Sequence, residues 1–257
     1  MKNIKKILCL LSVLVLFSCT GDKDGKAKLL KKLVETSADG TAKTTLYKYK
    51  DNAIISIDGS QTRTDFTYTN GLISKMQTLD KITKGVTTLL YTYEEDRLVS
   101  VVSSDQYKIS YVHNSDGTVS VEKWTLVSGN PDKKLYHGTL IFKDDNFIKE
   151  TRTLDDAAPG VVATHSLSFE YDAKNNPFYF IKGFDKLLNQ SNVISLNNSL
   201  ISVVTSTETK DGQTISAANF YKNTITYDEE GYPKEKVSEA VMPENGNSEY
   251  LKSEYFY

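Results

Sequence analysis

The sequence contains few of the residues from which disulfides and metal sites are built, with two cysteines and three histidines among 257 residues. Cys9 lies inside a hydrophobic leader and Cys19 directly follows it, so the rest of the chain has no cysteine for a disulfide or a thiolate metal site. His113, His137 and His165 each stand alone, without the i+2 or i+4 partner of a metal site on one strand or helix. We therefore predict no metal site and no cofactor.

Common catalytic and nucleic-acid-binding patterns are missing as well. The chain has no Asp-x-Asp-x-Asp-Gly calcium loop, no Gly-x-Ser-x-Gly elbow and no glycine-rich phosphate loop. Its formal net charge is −2 and its lysines are scattered one or two per strand, which excludes the basic stripe of a nucleic-acid-binding surface.

Acidic clusters are the one catalytic alternative. Two carboxylates roughly 5 to 9 Å apart suffice for glycoside hydrolysis, and four clusters are candidates: Glu94–Asp96, Asp144–Asp145, Asp155–Asp156 and Asp228–Glu230. All four follow a strand pattern at equivalent turn positions, where Asp side chains bond their own backbone. We therefore predict no catalytic residue, with a polysaccharide hydrolase that uses turn carboxylates as the alternative.

Long hydrophobic runs are also lacking. The longest, Ile7–Phe17, is interrupted only by Ser12 and is about half of the roughly 20 residues that a membrane-spanning helix needs. Lys2, Lys5 and Lys6 precede it, and a basic flank before a short apolar run is typical of a secretory signal peptide.

Leu16-Phe17-Ser18-Cys19 resembles the bacterial lipobox, with an aliphatic residue three positions before the cysteine and a small residue directly before it. The resemblance implies cleavage after Ser18, so that residues 1–18 are the signal peptide and Cys19 carries the lipid. The alternative is a secreted protein with a chance cysteine near its cleavage site. Residues 19–28 contain no large apolar residue and predict a flexible tether.

The rest of the chain repeats one short unit, exemplified by Arg63–Met76. Phe66 and Tyr68 alternate with polar residues, and Asn70-Gly71 then leads into Leu72-Ile73, a pattern typical of a β-hairpin. The most similar pair of stretches, Phe66–Ser74 and Ile194–Ser202, predicts internal repetition. We expect residues 29–257 to form one all-β domain, an antiparallel meander of about eight hairpins in a strongly twisted sheet that curls towards an open barrel or a sandwich.

The repeated pattern Φ-x-Tyr-(Asp)-x-x-Gly-x-Leu is clearest at Tyr93–Val99 and Tyr227–Tyr232. It resembles the YD repeat of RHS-type proteins, although the Gly-Arg-Leu part is mostly missing. With the lipobox, the opening Lys28–Thr36 and the Asn176-Pro177-Phe178 element, the chain resembles Bacteroidota-type lipoproteins with YD-like repeats. The resemblance implies a series of antiparallel hairpins and brings no activity with it.

One segment, Asp172–Asn192, interrupts the repeats. Pro177 excludes a central strand, and Phe184, Leu187 and Leu188 fall near helical spacing. We predict a loop followed by a short helix that plugs one open end of the sheet. The aromatic cluster Phe178, Tyr179 and Phe180 caps the core in this interpretation, and lines the mouth of a ligand site in the alternative one.

The 16 tyrosines have two interpretations as well. At a repeated strand position they either pack on the next hairpin or form an exposed platform for a glycan or peptide.

A transmembrane barrel is disfavoured because strands such as Thr205–Ser216 lack a continuous lipid-facing apolar row. We therefore expect a non-enzymatic outer-membrane lipoprotein, periplasmic or surface-facing, that contacts the membrane through its lipid. We expect it to bind a glycan, peptide or envelope partner or to serve as a structural module, and to bind no nucleic acid.

Overall fold

A computed structural model describes residues 28–126, 131–189, 193–241 and 250–257. Alternation of apolar and polar residues sets its strands, as Thr62–Thr69 illustrates: Phe66 is buried, whereas its neighbours Asp65 and Thr67 are exposed. A period of two puts one residue set on each face of a sheet. No helix in the described residues is long and apolar enough to cross a bilayer.

The described strands form one closed barrel. Each pairs antiparallel with its neighbours in sequence, and the last strand pairs with the first, Lys32 opposite Phe256 and Ser37 opposite Leu251. The strands are β1 Lys32–Ser37, β2 Ala42–Lys50, β3 Ala53–Asp58, β4 Thr62–Thr69, β5 Leu72–Asp80, β6 Val86–Glu94, β7 Arg97–Ser103, β8 Tyr107–His113, β9 Val119–Thr125, β10 Lys133–Lys143, β11 Asn146–Leu154, β12 Val161–Tyr171, β13 Ser199–Lys210, β14 Gln213–Tyr227, β15 Pro233–Val241 and β16 Tyr250–Phe256.

This architecture confirms the predicted all-β antiparallel meander and is more specific than the prediction. The sheet neither stays an open barrel nor folds into a sandwich, because β1 and β16 hydrogen-bond to each other and leave no free edge.

The repeated sequence unit is a hairpin with a tight turn and a bulge. At Asn70-Gly71 both residues have positive φ, 51° and 84°, which is the backbone of the tightest hairpin turns and favours Asn and Gly. Directly before Tyr68 the register shifts, so that Ser74 on the partner strand is unpaired. The same shift precedes the aromatic residue of five other hairpins, at Tyr49, Tyr93, Phe142, Tyr171 and Tyr227.

Repeat tyrosines point into the barrel and tie consecutive hairpins together. Their hydroxyl groups donate to main-chain carbonyls of the neighbouring hairpin or strand, with oxygen–oxygen distances of 2.6 to 3.0 Å. The pairs are Tyr49 with Leu30, Tyr93 with Ile73, Tyr171 with Phe147 and Tyr257 with Pro233. The rings of Tyr49, Tyr93 and Tyr257 pack against the core, and that of Tyr171 lies 6.0 Å from the ring of Phe169. The core interpretation of the tyrosines is therefore confirmed, and the exposed-platform interpretation is wrong.

The inward-facing side chains change along the barrel axis. At the end that carries the turns Asp51-Asn52 and Asn70-Gly71, called here the tight-turn end, they are apolar and buried, as at Ile54, Ile73 and Leu98. Towards the opposite end, called the far end, they become polar or charged, namely Ser103, Lys123, Arg152, Ser206 and Lys236. The apolar core thus fills one half of the barrel.

Replacing Tyr93 by phenylalanine removes the donor to the Ile73 carbonyl and keeps the ring. We expect the free energy of unfolding in urea to fall by about 1 kcal/mol. Tyr68→Phe is the matched control, because the buried Tyr68 hydroxyl has no hydrogen-bond partner among the described residues. Equal losses in the two variants would contradict the structural role of the hydroxyl bond.

Burial of the tyrosines predicts alkaline instability. It raises the pKa of Tyr68 and of Tyr171 to about 12, whereas a tyrosine in an unfolded chain has a pKa of about 10. Above about pH 10 the unfolded chain loses its phenolic protons first, so the free energy of unfolding should fall as the pH rises towards 12. Ultraviolet absorbance of tyrosinate during a titration checks this: core tyrosines that ionise near pH 10 without loss of β-structure by circular dichroism would count against their burial.

Candidate functional site

A long insertion replaces the tight turn between β12 and β13. We call residues 172–189 and 193–198 the plug. Its two ends are held together, since the Asp172 amide donates to the Asn198 carbonyl at 3.0 Å and the Asn198 amide donates to Oδ1 of Asp172 at 3.1 Å. The bulge before Tyr171 is preserved across the insertion, so the plug leaves the hairpin register unchanged.

The structure corrects two predictions about this segment. Ile194-Ser195-Leu196 is not a strand, and the first half of the supposed hairpin Ile194–Ser202 belongs to the plug. Ser195 instead donates its hydroxyl proton to the Tyr171 hydroxyl. The predicted short helix reduces to one 3-10 turn, Phe184–Lys186, which follows Gly183 at a positive φ of 75°.

The plug enters the barrel at the tight-turn end. The ring of Phe178 packs on Tyr47 and that of Phe184 on Phe66, each at 5.7 Å between centroids. The Lys182 amide donates to the Asn52 carbonyl of the β2–β3 turn at 3.0 Å. Ile181, Phe184 and Leu187 are buried in the common core, as are the strand residues around them.

The three aromatics proposed from sequence separate in space. Phe178 is half-buried and lines an internal cavity. Tyr179 and Phe180 pack edge to face at 5.2 Å, and burial, with Asp145 and Asp185 nearby, raises the pKa of Tyr179. A ligand role for these residues stays a prediction.

A first cavity of about 400 Å³ lies between the plug and the wall formed by β12–β16 and β2–β3. Its walls are mainly aromatic and apolar, with Phe169, Phe178 and Tyr255 among them, and Lys236 reaches into it from β15. Burial lowers the pKa of Lys236, and the charge of Glu35 on β1 opposes that shift. The one lysine of this cavity therefore has a carboxylate nearby.

A second cavity of about 200 Å³ lies on the other side of the plug, and Val193 borders both. Arg152 donates from Nε to Oε1 of Glu150 at 2.5 Å, and its guanidinium lies 4.7 Å from the ring centre of Tyr136. Nζ of Lys123 lies 4.2 Å from the ring centre of Tyr107. Two cations and two tyrosines therefore meet on the wall formed by β8–β11.

The sequence analysis missed both Lys123 and Arg152; the parity of Lys123 with Val121 could be read from the sequence, whereas that of Arg152 depends on the register because a bulge precedes it on β11. Lys123 lies two residues after the buried Val121, and Arg152 two residues after Glu150, on the inward face. A charged residue on the same strand parity as core residues was the available signal.

The histidines lie apart. His113 contacts the Leu98 carbonyl at 2.9 Å, His137 contacts Asp155 at 2.9 Å, and His165 contacts the Ser206 hydroxyl at 2.9 Å. Across the described residues, no group of three His, Cys, Asp or Glu side chains is placed to hold a metal ion.

Turn geometry accounts for most of the acidic clusters. Asp144 and Asp145 occupy a tight turn with φ of 50° and 59°, and Oδ1 of Asp228 accepts from the amides of Glu230 and Tyr232. One prediction was wrong: Asp155–Asp156 follows β11 at the far end, so the four clusters are not equivalent.

Neither a protein-family model nor a curated protein matches the sequence. The fold is similar to two crystal structures of porin-like proteins. The one from Bacteroides vulgatus has a TM-score of 0.54 at 12% identity, covering 89% of this chain and 98% of its own. The one from Bacteroides uniformis has a TM-score of 0.54 at 11% identity, covering 90% of this chain and 98% of its own. Identities this low show the shared barrel fold alone.

The plug should stabilise the whole barrel. We expect Phe184→Ala, which empties a buried site against Phe66, to lower the free energy of unfolding by about 3 to 5 kcal/mol. Phe220→Ala on the outer face is the control, because Phe220 is 43% exposed and should lose less than about 1 kcal/mol. Urea unfolding measures both; similar small losses would mean that the plug does not support the core.

Proposed function

We propose that this chain is an exported, lipid-anchored and non-enzymatic protein of the outer membrane, whose barrel stands beside the bilayer and binds a glycan, peptide or envelope partner. The observation that carries the proposal is the distribution of polarity: the barrel has its aromatic core inside and a polar surface outside. A barrel that spans lipid needs an outward apolar band about 25 Å tall.

The outer surface lacks such a band in the described strands. Outward-facing Leu46 lies between Lys32 and Asp58 on the adjacent strands. Outward-facing Leu90 is opposite Lys75, and Val102 beside it is opposite Lys108. Because each lipid-exposed charge at mid-bilayer costs about 2 to 4 kcal/mol, this surface favours water.

The point where the tether meets the barrel supports an orientation. Nζ of Lys28 lies 2.5 Å from Oδ2 of Asp228 and 3.1 Å from Oε2 of Glu230, in the turn between β14 and β15. This turn belongs to the tight-turn end. Eight residues lie between Cys19 and Lys28, and the nine steps that join them reach at most about 30 Å. In the proposed arrangement the plugged end faces the membrane and the far end points away from it.

The proposal of a non-enzymatic role is supported by the acidic side chains themselves. The carboxylates predicted for a hydrolase take part in turns, as Asp228 does. No observation on the barrel favours the hydrolase alternative. The signal peptide and the lipid on Cys19 concern the first 27 residues, which lie outside the described part of the chain. The likeness to YD-repeat lipoproteins rests on sequence patterns.

The anchor is tested by Cys19→Ser. We expect the native protein to sediment with membranes and to resist extraction by salt and alkali, whereas the Cys19→Ser protein should become soluble, because a polar outer surface has no affinity for lipid. Cys9→Ser is the control and should remain anchored, since Cys9 lies in the predicted signal peptide. Alkali-resistant membrane association of Cys19→Ser protein would show that the barrel itself is inserted.

A further inference from the structure

We propose that the second cavity, on the wall formed by β8–β11, is a binding site for a small oxyanion ligand: a carboxylate, sulfate or phosphate group, carried in the first case by a sugar acid. Lys123 and Arg152 are the groups that would bind the anion. The inference deepens the proposed binding role and rests on it, but does not depend on the lipid anchor.

The charges in the cavity are unbalanced. Arg152 is paired with Glu150, whose side chain is only 10% exposed. Lys123 has no carboxylate within ion-pair distance among the described residues and has the cation Arg152 as a neighbour. A cation held in a partly enclosed site is stabilised by a counter-charge, and an anionic ligand would provide it.

The electrostatics of Lys123 agree with this geometry. Burial lowers its pKa, and the positive charge of Arg152 lowers it further. The face of the Tyr107 ring compensates only in part, since it attracts the ammonium group but carries no full negative charge. A bound anion would stabilise the protonated form of Lys123 and so raise that pKa, and the same attraction would favour binding of the anion.

Arg152 keeps donors for a ligand. Its Nε donates to Glu150, and its guanidinium lies over the Tyr136 ring. The remaining N–H groups form the fork of donors that suits an oxyanion. The tyrosines that line the cavity, Tyr107, Tyr111 and Tyr136, add apolar surface with hydroxyl groups, which suits a sugar ring.

Size and access limit the ligand. At about 200 Å³ the cavity is smaller than the roughly 300 to 1,000 Å³ of drug-sized sites, and therefore fits one sugar acid or an inorganic oxyanion. The Arg152 side chain is 39% exposed, and His165, its cross-strand neighbour, is also exposed. A ligand would reach the site from the far end.

The first cavity is the weaker candidate for an anion. Its lysine, Lys236, faces the opposing charge of Glu35 across β16. Its charges are therefore balanced without a ligand, whereas those around Lys123 are not.

Calorimetric titration of the processed full-length protein in detergent tests the inference, with glucuronate as the probe and glucose as its neutral match. We expect glucuronate to bind, glucose not to bind, and Lys123→Met to weaken glucuronate at least about tenfold through loss of a charged hydrogen bond. Lys123→Arg should restore most of the affinity. Lys108→Met, which removes an outward lysine on β8, is the control and should leave binding unchanged.

Separate titrations with inorganic phosphate and sulfate identify the source of the oxyanion. Tighter binding of either, with the same Lys123 dependence, supports the site and assigns it to an inorganic ligand. Absence of binding by all three anions, or equal binding to native and Lys123→Met protein, overturns the inference. If glucuronate fails but the protein binds another glycan with no effect of Lys123→Met, the binding role survives without this site; thermal unfolding of each variant checks that it is folded.

Discussion

Closing a sheet of sixteen strands creates a lumen that its own side chains cannot fill. Barrels of about eight strands are just filled by side chains, whereas those of sixteen to eighteen leave a channel. The rest of this molecule follows from that constraint. Tyrosine and phenylalanine side chains on the inward face fill part of the lumen, and the plug occupies the remaining space at the tight-turn end. The two cavities are the volume left on either side of it.

The similarity to porin-like proteins is a similarity of fold. A barrel in lipid has an apolar outside and, where it conducts, a wet interior. Here the aromatic side chains pack against Phe178, Phe184 and other plug residues. Lysine and aspartate side chains lie outside beside apolar residues such as Leu46 and Leu90. The solvent that a barrel suits is decided by the side chains on its two faces and not by strand pairing.

Much of the wall was predictable from sequence because its information is local. The Asn70-Gly71 turn, the alternation around Phe66 and the failure of the repeat at Asp172 are all encoded within short stretches. Closure was not predictable, since it depends on contact between Lys32 and Phe256 at opposite ends of the chain. Ile194–Leu196 resembled a strand because its residue types match, but the plug gives these residues other partners.

The bulges hid one of the two cations of the candidate site. In six hairpins one unpaired residue shifts the inward face by one position, so that Leu98 and Val101, three residues apart, both point inside. Such a shift lies between Phe147 and Glu150 on β11, so Arg152 falls on the inward face only once the register is known. The β8–β9 pair has no bulge, and Lys123 there continues the alternation of Val119 and Val121.

The pairing of β1 with β16 also sets the order in which the barrel is completed. Because a chain is synthesised from its N-terminus, β1 is made first, and β16, the strand that covers its free edge, is made last. During that interval an unpaired strand edge is exposed to other chains, and closure over so long a sequence separation is intrinsically slow. The step most sensitive to aggregation is thus the joining of the two chain ends, and factors that shield β1 until then would govern the yield of folded protein.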